Sequence, residues 1–130
     1  MALEYPDDLK YLDSHEYVRL EGTTATLGIS AFAVDQLGDI VFLDLPEVGA
    51  MVTQGETFGT VESVKAVEDM YSAVSGTVID RNEAMINEPE KLVEDPYAAG
   101  WLVKISLAAE NPVADNLFSA AEYRSRVAGE

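Results

Sequence analysis

Lys65 has the setting that most invites chemistry. In GTVESVKAVEDMYS, residues 59–72, it stands between Glu62 and the Glu68–Asp69 pair, one of four lysines in a chain of formal net charge -16. Such a lysine can be a solvated surface group, a Schiff-base nucleophile or a point of covalent modification. A Schiff-base amine needs a buried, desolvated site, and a carboxylate-flanked stretch is the opposite environment. Other reaction centres lack parts. His15 is the only histidine and cysteine is absent, so neither a histidine-rich metal site nor a Ser-His-Asp triad can be assembled. With 24 acidic residues, no single pair of carboxylates identifies a glycosidase couple. Gly55, Gly59 and Gly76 match neither a phosphate-binding nor a dinucleotide-binding loop. No catalytic residue and no metal ligand is therefore expected, and His15 is given a structural or surface role.

The elements around Lys65 decide how it is presented. Residues 57–71 carry strand formers throughout, yet strands usually run about 3 to 10 residues, so this run must break near its middle. A type I turn accepts most residue types, which puts Val64–Lys65 at the tip of a hairpin and leaves the amine exposed. Upstream, EYVRLEGTTATLGI alternates, with Val18 and Leu20 on one side and Tyr17, Arg19 and Glu21 on the other; Gly22 separates two strands. SAFAVDQLG predicts a short helix with Ser30 as cap and Gly38 at its end. DIVFLDLPEVG predicts a strand stopped by Pro46 and Gly49. A further short helix starts at Pro89 and ends before Pro96, and WLVKISL is the last strand. Two helical segments then close the chain, one capped by Asn111 with Pro112 at its first position, the other opened by a Ser119–Glu122 capping box.

Many short strands with regular turns indicate a mainly β sandwich or barrel. The 130 residues suit one domain, 1–130, whose core needs no disulfide staple. Hydrophobic residues make up 48% and the mean hydropathy is +0.01, values of a folded globular chain despite the charge. The negative surface would repel nucleic acid and anionic membrane and attract a basic protein partner. MALEYPDDLKYLDS is acidic and has no apolar leader core, so a cytoplasmic location is expected.

ESVKAV resembles the lipoyl-attachment segments of lipoylated carrier domains. Around it, Gly49, Val52, Gly55–Glu56, Glu62, Lys65 and Val74–Ser75–Gly76 follow the order that biotinyl and lipoyl domains share. Biotin carriers usually set methionine on both sides of the lysine, whereas this chain has Val64 and Ala66. Three further stretches, SHEYVRLEG (14–22), GISAFAVDQLGDIVFLDLPEVG (28–49) and NEPEKLVEDPYAAGWLVKI (87–105), are similar to the glycine cleavage system H-protein family, and the resemblance covers nearly the whole chain. There are departures: Tyr17 stands where tryptophan is commoner, Ala31–Phe32 where many members have Asp-His, and Gln36 where some have histidine.

The resemblance implies a barrel-sandwich hybrid of two antiparallel sheets, with the lipoyl lysine at a β-hairpin tip, short peripheral helices and a C-terminal helical extension over 111–128. It implies a non-catalytic, monomeric carrier in glycine catabolism and one-carbon metabolism, bearing lipoate on Lys65. Such a carrier shuttles the aminomethyl group of glycine from a pyridoxal phosphate-dependent glycine decarboxylase (P protein) to a tetrahydrofolate-dependent aminomethyltransferase (T protein). Dihydrolipoyl dehydrogenase (L protein) then reoxidises it, and a lipoate ligase or lipoyl transferase installs the cofactor. Residues matching Ser14, Glu16 and Asp69 would line a cleft for the aminomethyl-loaded arm, and Glu62 would serve ligase recognition; Glu68 has no implied role. A biotinyl carrier domain, a Schiff-base lysine enzyme and an unmodified interaction module are the competing expectations.

Overall fold

Short runs of alternating residues pair into two antiparallel sheets. The computed structural model describes residues 4–108, 113–114 and 116–128. Its elements are β1 (Lys10–Tyr11), β2 (Glu16–Glu21), β3 (Thr24–Ile29), α1 (Ala31–Leu37), β4 (Ile40–Asp44), β5 (Met51–Val52), β6 (Thr57–Ser63), β7 (Val67–Tyr71) and β8 (Gly76–Arg81). They continue with α2 (Glu83–Asn87), a 3-10 turn (Pro89–Val93), β9 (Val103–Leu107) and α3 (Ala120–Ala128). One sheet runs β1-β2-β3-β9-β8-β5 and the other β4-β6-β7, the two-sheet mainly β architecture expected above. The main core includes Val18, Leu27, Leu43, Val61, Met70, Val78 and Ile105, drawn from both sheets.

The β2–β3 hairpin turns at Gly22, whose φ of 63° suits a residue without Cβ. Its alternation is only half that expected. Val18, opposite Leu27, enters the main core, but Tyr17 is buried as well, and Leu20 is 42% exposed. The outer face of the hairpin is covered by a second cluster, in which Leu9, Tyr11, Tyr17, Ala120 and Tyr123 pack together. Tyr11 and Tyr123 stack at 4.5 Å between ring centroids, and the Tyr17 hydroxyl donates to the Pro96 carbonyl at 2.7 Å. Aromatic rings bring large apolar area and a polar tip that needs a partner.

Helix α1 has the predicted ends. Ser30 accepts from the Ala33 amide, and Gly38 follows the last turn with φ of 77°. Helix α2 was not foreseen; it is opened by Asn82, a buried cap whose amide group donates to the Ala99 and Trp101 carbonyls. The C-terminal expectation is corrected. Val113 makes a β-bridge with Val74 and Phe118 one with Tyr11, so the described part of NPVADNLF is not helical, and among the described residues of 111–128 helix is confined to α3. Cross-bridging satisfies this backbone, as in the Ala114 amide bond to the Ala73 carbonyl at 2.8 Å, while Val113 and Leu117 pack on the core. Asn111 and Pro112 lie outside the described residues. The Ser119–Glu122 capping box is present, with both reciprocal bonds made.

Gly28 pairs with Tyr17 across the hairpin, and a Cβ there would run into the Tyr17 ring. Gly28→Ala is therefore expected to lower stability by about 1–3 kcal/mol, the usual cost of overpacking, read as a lower denaturant midpoint. An unchanged midpoint would mean that the ring can move aside.

Candidate functional site

The strand-length argument places a reversal at Lys65, and the chain turns there. Strands β6 and β7 pair from Thr57 opposite Tyr71 to Glu62 opposite Val67, leaving Ser63 to Ala66 as the connection. The Ser63 amide donates to the Ala66 carbonyl at 2.8 Å. In the other direction the Ser63 hydroxyl oxygen accepts from the Ala66 amide at 3.1 Å and the Lys65 amide at 3.3 Å. Ser63, 7% exposed, is thus the turn former, acting through its side chain. Among the described residues His15 is the only non-glycine with positive φ, so neither Val64 nor Lys65 needs a glycine-like conformation. The tip is also tied down, because the Val64 amide donates to the Asp39 carbonyl at 3.0 Å. Lys65 stands exposed on this fixed platform, and none of the described ion pairs involves it.

Beside the tip lies a cleft of about 510 Å³. The hairpin forms one side with Val61, Lys65, Ala66, Glu68, Asp69 and Met70; α1 forms another with Phe32, Ala33, Gln36 and Leu37; Ser14, His15 and Glu16 close it. The predicted Ser14, Glu16, Asp69 and Lys65 therefore come together. Glu62 does not line the cleft: it pairs with Phe42 and Val67, on the face of the pleat opposite to Val61. Glu68, which the sequence left without a role, pairs with Val61 and so stands on the cleft-facing side, while Asp69 lines the cleft from the adjacent position.

Glu16 is the unusual group. It is only 3% exposed, one carboxylate oxygen accepts from the Tyr71 amide at 2.8 Å, and the other accepts from the Ser14 hydroxyl. Burial pushes its pKa up to about 7, against the opposing pull of those hydrogen bonds. The Ser14 proton is spent on Glu16, so the oxygen lone pairs of Ser14 remain for a donor. Together these groups make an acceptor-lined pocket suited to an amine or ammonium. No group of three His, Asp or Glu among the described residues could hold a metal ion, and no described helix is long and apolar enough to cross a membrane.

Sequence reasoning missed His15 as a cleft residue. Its ring lies 4.7 Å from that of Phe32, and its Nδ1 is 2.7 Å from the Tyr123 hydroxyl. The available signal was its place between Ser14 and Glu16. Phe32 and Gln36 line the cleft at the positions where histidine was in doubt.

A family model described as Glycine cleavage H-protein matches residues 9–130. The chain is similar to the glycine cleavage system H protein of Microcystis aeruginosa, 65% identical with 100% of this chain and 99% of that protein covered. It is 64% identical to that of Gloeothece citriformis, with the same coverage. Among solved structures, a glycine cleavage system H protein from Mycobacterium marinum superposes with a TM-score of 0.88 at 36% identity, covering 95% of this chain and 99% of that one.

The raised pKa of Glu16 has a definite sign in stability. A carboxyl whose folded value, about 7, exceeds its ordinary 4.5 favours the fold fully below about 4.5, and that contribution is lost as pH rises through 7. In Glu16→Gln the amide oxygen can still accept from Tyr71 and no charge is buried. The variant is expected to gain on the parent chain by up to about 3 kcal/mol between pH 4.5 and 8, in paired denaturant titrations. A difference that stays constant over that range would contradict the assignment.

Proposed function

The chain belongs to the glycine cleavage H-protein family, and we propose that it serves there as the cytoplasmic lipoyl-bearing carrier, docking in turn on the other components of the system without catalysing a step. The single observation that carries this is an exposed Lys65 on a braced hairpin tip, opening onto a cleft lined by Ser14, Glu16 and Asp69. Lys65 would hold lipoate through an amide on Nζ. When bound, the lipoyl group would supply a disulfide able to accept an aminomethyl group on one sulfur, and the partners for loading, unloading and reoxidation would be the glycine decarboxylase, the tetrahydrofolate-dependent aminomethyltransferase and dihydrolipoyl dehydrogenase.

The residues of the chain do the holding. Asp69 faces solvent and offers a carboxylate to the amine, Ser14 offers its oxygen, and Glu16 offers a carboxyl that ionises when a cation approaches it. Because Glu16 is buried, its attraction for an ammonium is less screened than that of a surface acid. Glu62, on the far face of the hairpin, is free to be read by the ligase without obstructing the cleft. Absence of cysteine means that the chain itself offers no thiolate to trap a dithiolane as a mixed disulfide. The net charge of -16 favours fast, reversible docking on basic faces of partners.

Intact mass after coexpression with a lipoate ligase tests the attachment. One lipoyl adduct is expected on the parent chain and none on Lys65→Arg; an adduct that survives the substitution, or one formed only with a biotin ligase, would overturn the reading. For the cleft, Asp69→Asn, which keeps an acceptor oxygen and loses only the charge of a solvent-facing group, is expected to accelerate loss of the aminomethyl group from the loaded protein roughly three- to tenfold, with lipoylation unchanged. Decay at the parent rate would reject the role of Asp69.

A further inference from the structure

The second aromatic cluster does more than cover a sheet face. Tyr123, on α3 and 1% exposed, reaches the back of the cleft, where its hydroxyl lies 2.7 Å from His15 Nδ1 and 2.7 Å from Ser30 Oγ. These contacts belong to different walls. His15 sits between the cleft residues Ser14 and Glu16, and Ser30 is the cap of α1, which carries Phe32, Ala33, Gln36 and Leu37 along the opposite wall. A hydrogen-bond chain from Ser30 through Tyr123 to His15 uses each hydroxyl proton once, and leaves Ser30 Oγ free to accept from the Ala33 amide at 3.3 Å.

We infer that Tyr123 is a positioning residue for the cleft: its buried hydroxyl ties His15 on one wall to Ser30 at the root of the other, and so fixes the stance of Ser14 and Glu16 relative to α1. The inference rests on the proposed role of the cleft in holding the aminomethyl arm. His15 has particular need of such a tie. Its φ of 83° is uncommon for a residue other than glycine, though histidine tolerates it better than most, and the surroundings hold it there. The His15 amide donates to the Leu12 carbonyl and its own carbonyl accepts from the Ser30 amide, each at 2.9 Å, which fixes the backbone. Phe32 and the Tyr123 hydroxyl fix the ring. Tyr97 acts in parallel on α1 by accepting from the Ala31 amide at 2.9 Å, but it makes no hydrogen bond to the Ser14–Glu16 wall among the described contacts. Tyr123 adds a side-chain tie to the direct backbone bond between Ser30 and His15, and it is supplied from α3.

Tyr123→Phe separates this role from packing, because the ring that stacks on Tyr11 is kept and only the hydroxyl is lost. The lipoylated, reduced chain would be loaded with formaldehyde and ammonia. Loss is then followed as water breaks the carbon–sulfur bond, the sulfur recovers its proton and formaldehyde and ammonia leave. In Tyr123→Phe this loss is expected to be about three- to tenfold faster, with the denaturant midpoint close to that of the parent chain. In the unloaded protein, hydrogen exchange is expected to quicken at the Ala33 amide and at the Tyr71 amide that binds Glu16, and not across β8 and β9. His15→Asn, which tolerates the positive φ, should show the same pattern, and the double variant should be no faster than the faster single. Loss at the parent rate in Tyr123→Phe overturns the positioning role, whatever the exchange rates do. Asp69→Asn measured alongside tells the two failures apart: if it alone accelerates loss, only the role of Tyr123 falls, and if neither does, the proposed use of the cleft falls with it.

Discussion

A carboxylate removed from water must find donors, and Glu16 finds one in the turn before β2, the Ser14 hydroxyl, and one on the opposite sheet. It begins β2 in the six-stranded sheet, and it accepts from the amide of Tyr71 at the end of β7 in the three-stranded sheet. Strand β7 is an edge strand, so that amide would otherwise be an open ladder donor. One contact therefore satisfies a buried acid, closes a sheet edge and joins the two sheets at the floor of the cleft. Removing the charge from water is costly, and the raised pKa records that cost. The site holds a group whose charge state is poised near neutrality, in the place where a cationic amine would benefit most from it.

Around that floor the two aromatic and aliphatic cores divide the work. The main core fills the space between the sheets, as any two-sheet fold requires. The second cluster lies outside, between the β2–β3 face and α3, and would be unnecessary if that face were left to solvent. Its consequence is positional. Tyr17 is locked by its bond to Pro96 and by the slot that Gly28 leaves open, and Tyr123 reaches past it to His15 and Ser30. The loop carrying Ser14 is thereby fixed from behind, without any group entering the cleft from the solvent side.

Features that depend on spacing were legible in the sequence: the hairpin at Gly22, the caps Ser30 and Gly38, and the reversal that a fifteen-residue run between Thr57 and Tyr71 demands. What depended on tertiary cover was not. Tyr17 alternates with Val18 and so reads as outward, yet the C-terminal segment buries it. Val113 and Phe118 follow the cap-like Asn111 and Pro112 in sequence but find β-bridge partners in Val74 and Tyr11, and long-range pairing overrides local propensity. Ser63 does not stand out as a turn residue because its hydroxyl, and not a special backbone conformation, adds to the bond its amide makes across the turn. At the site, Lys65 stood out from its setting, but Ser14, Glu16 and Asp69 came from the family resemblance. A charged residue opening a strand reads as surface, and nothing local marks Glu16 as one of the few buried polar groups.

The hairpin that carries Lys65 has two faces of different character, and this follows from the period of a strand. Val61, Glu68 and Met70 look toward the cleft, while Glu62 pairs with Phe42 and Val67, whose side chains are 51% and 63% exposed. Val64 at the tip is 70% exposed. Asp69, between Glu68 and Met70, falls by the same alternation on the Glu62 side yet still lines the cleft, so the two faces meet at its carboxylate, and Glu62, Phe42 and Val67 lie away from the cleft. The Ser63 hydroxyl and the Val64–Asp39 bond make the tip rigid, so the freedom a carrier needs resides in the arm, and docking need not order the tip again.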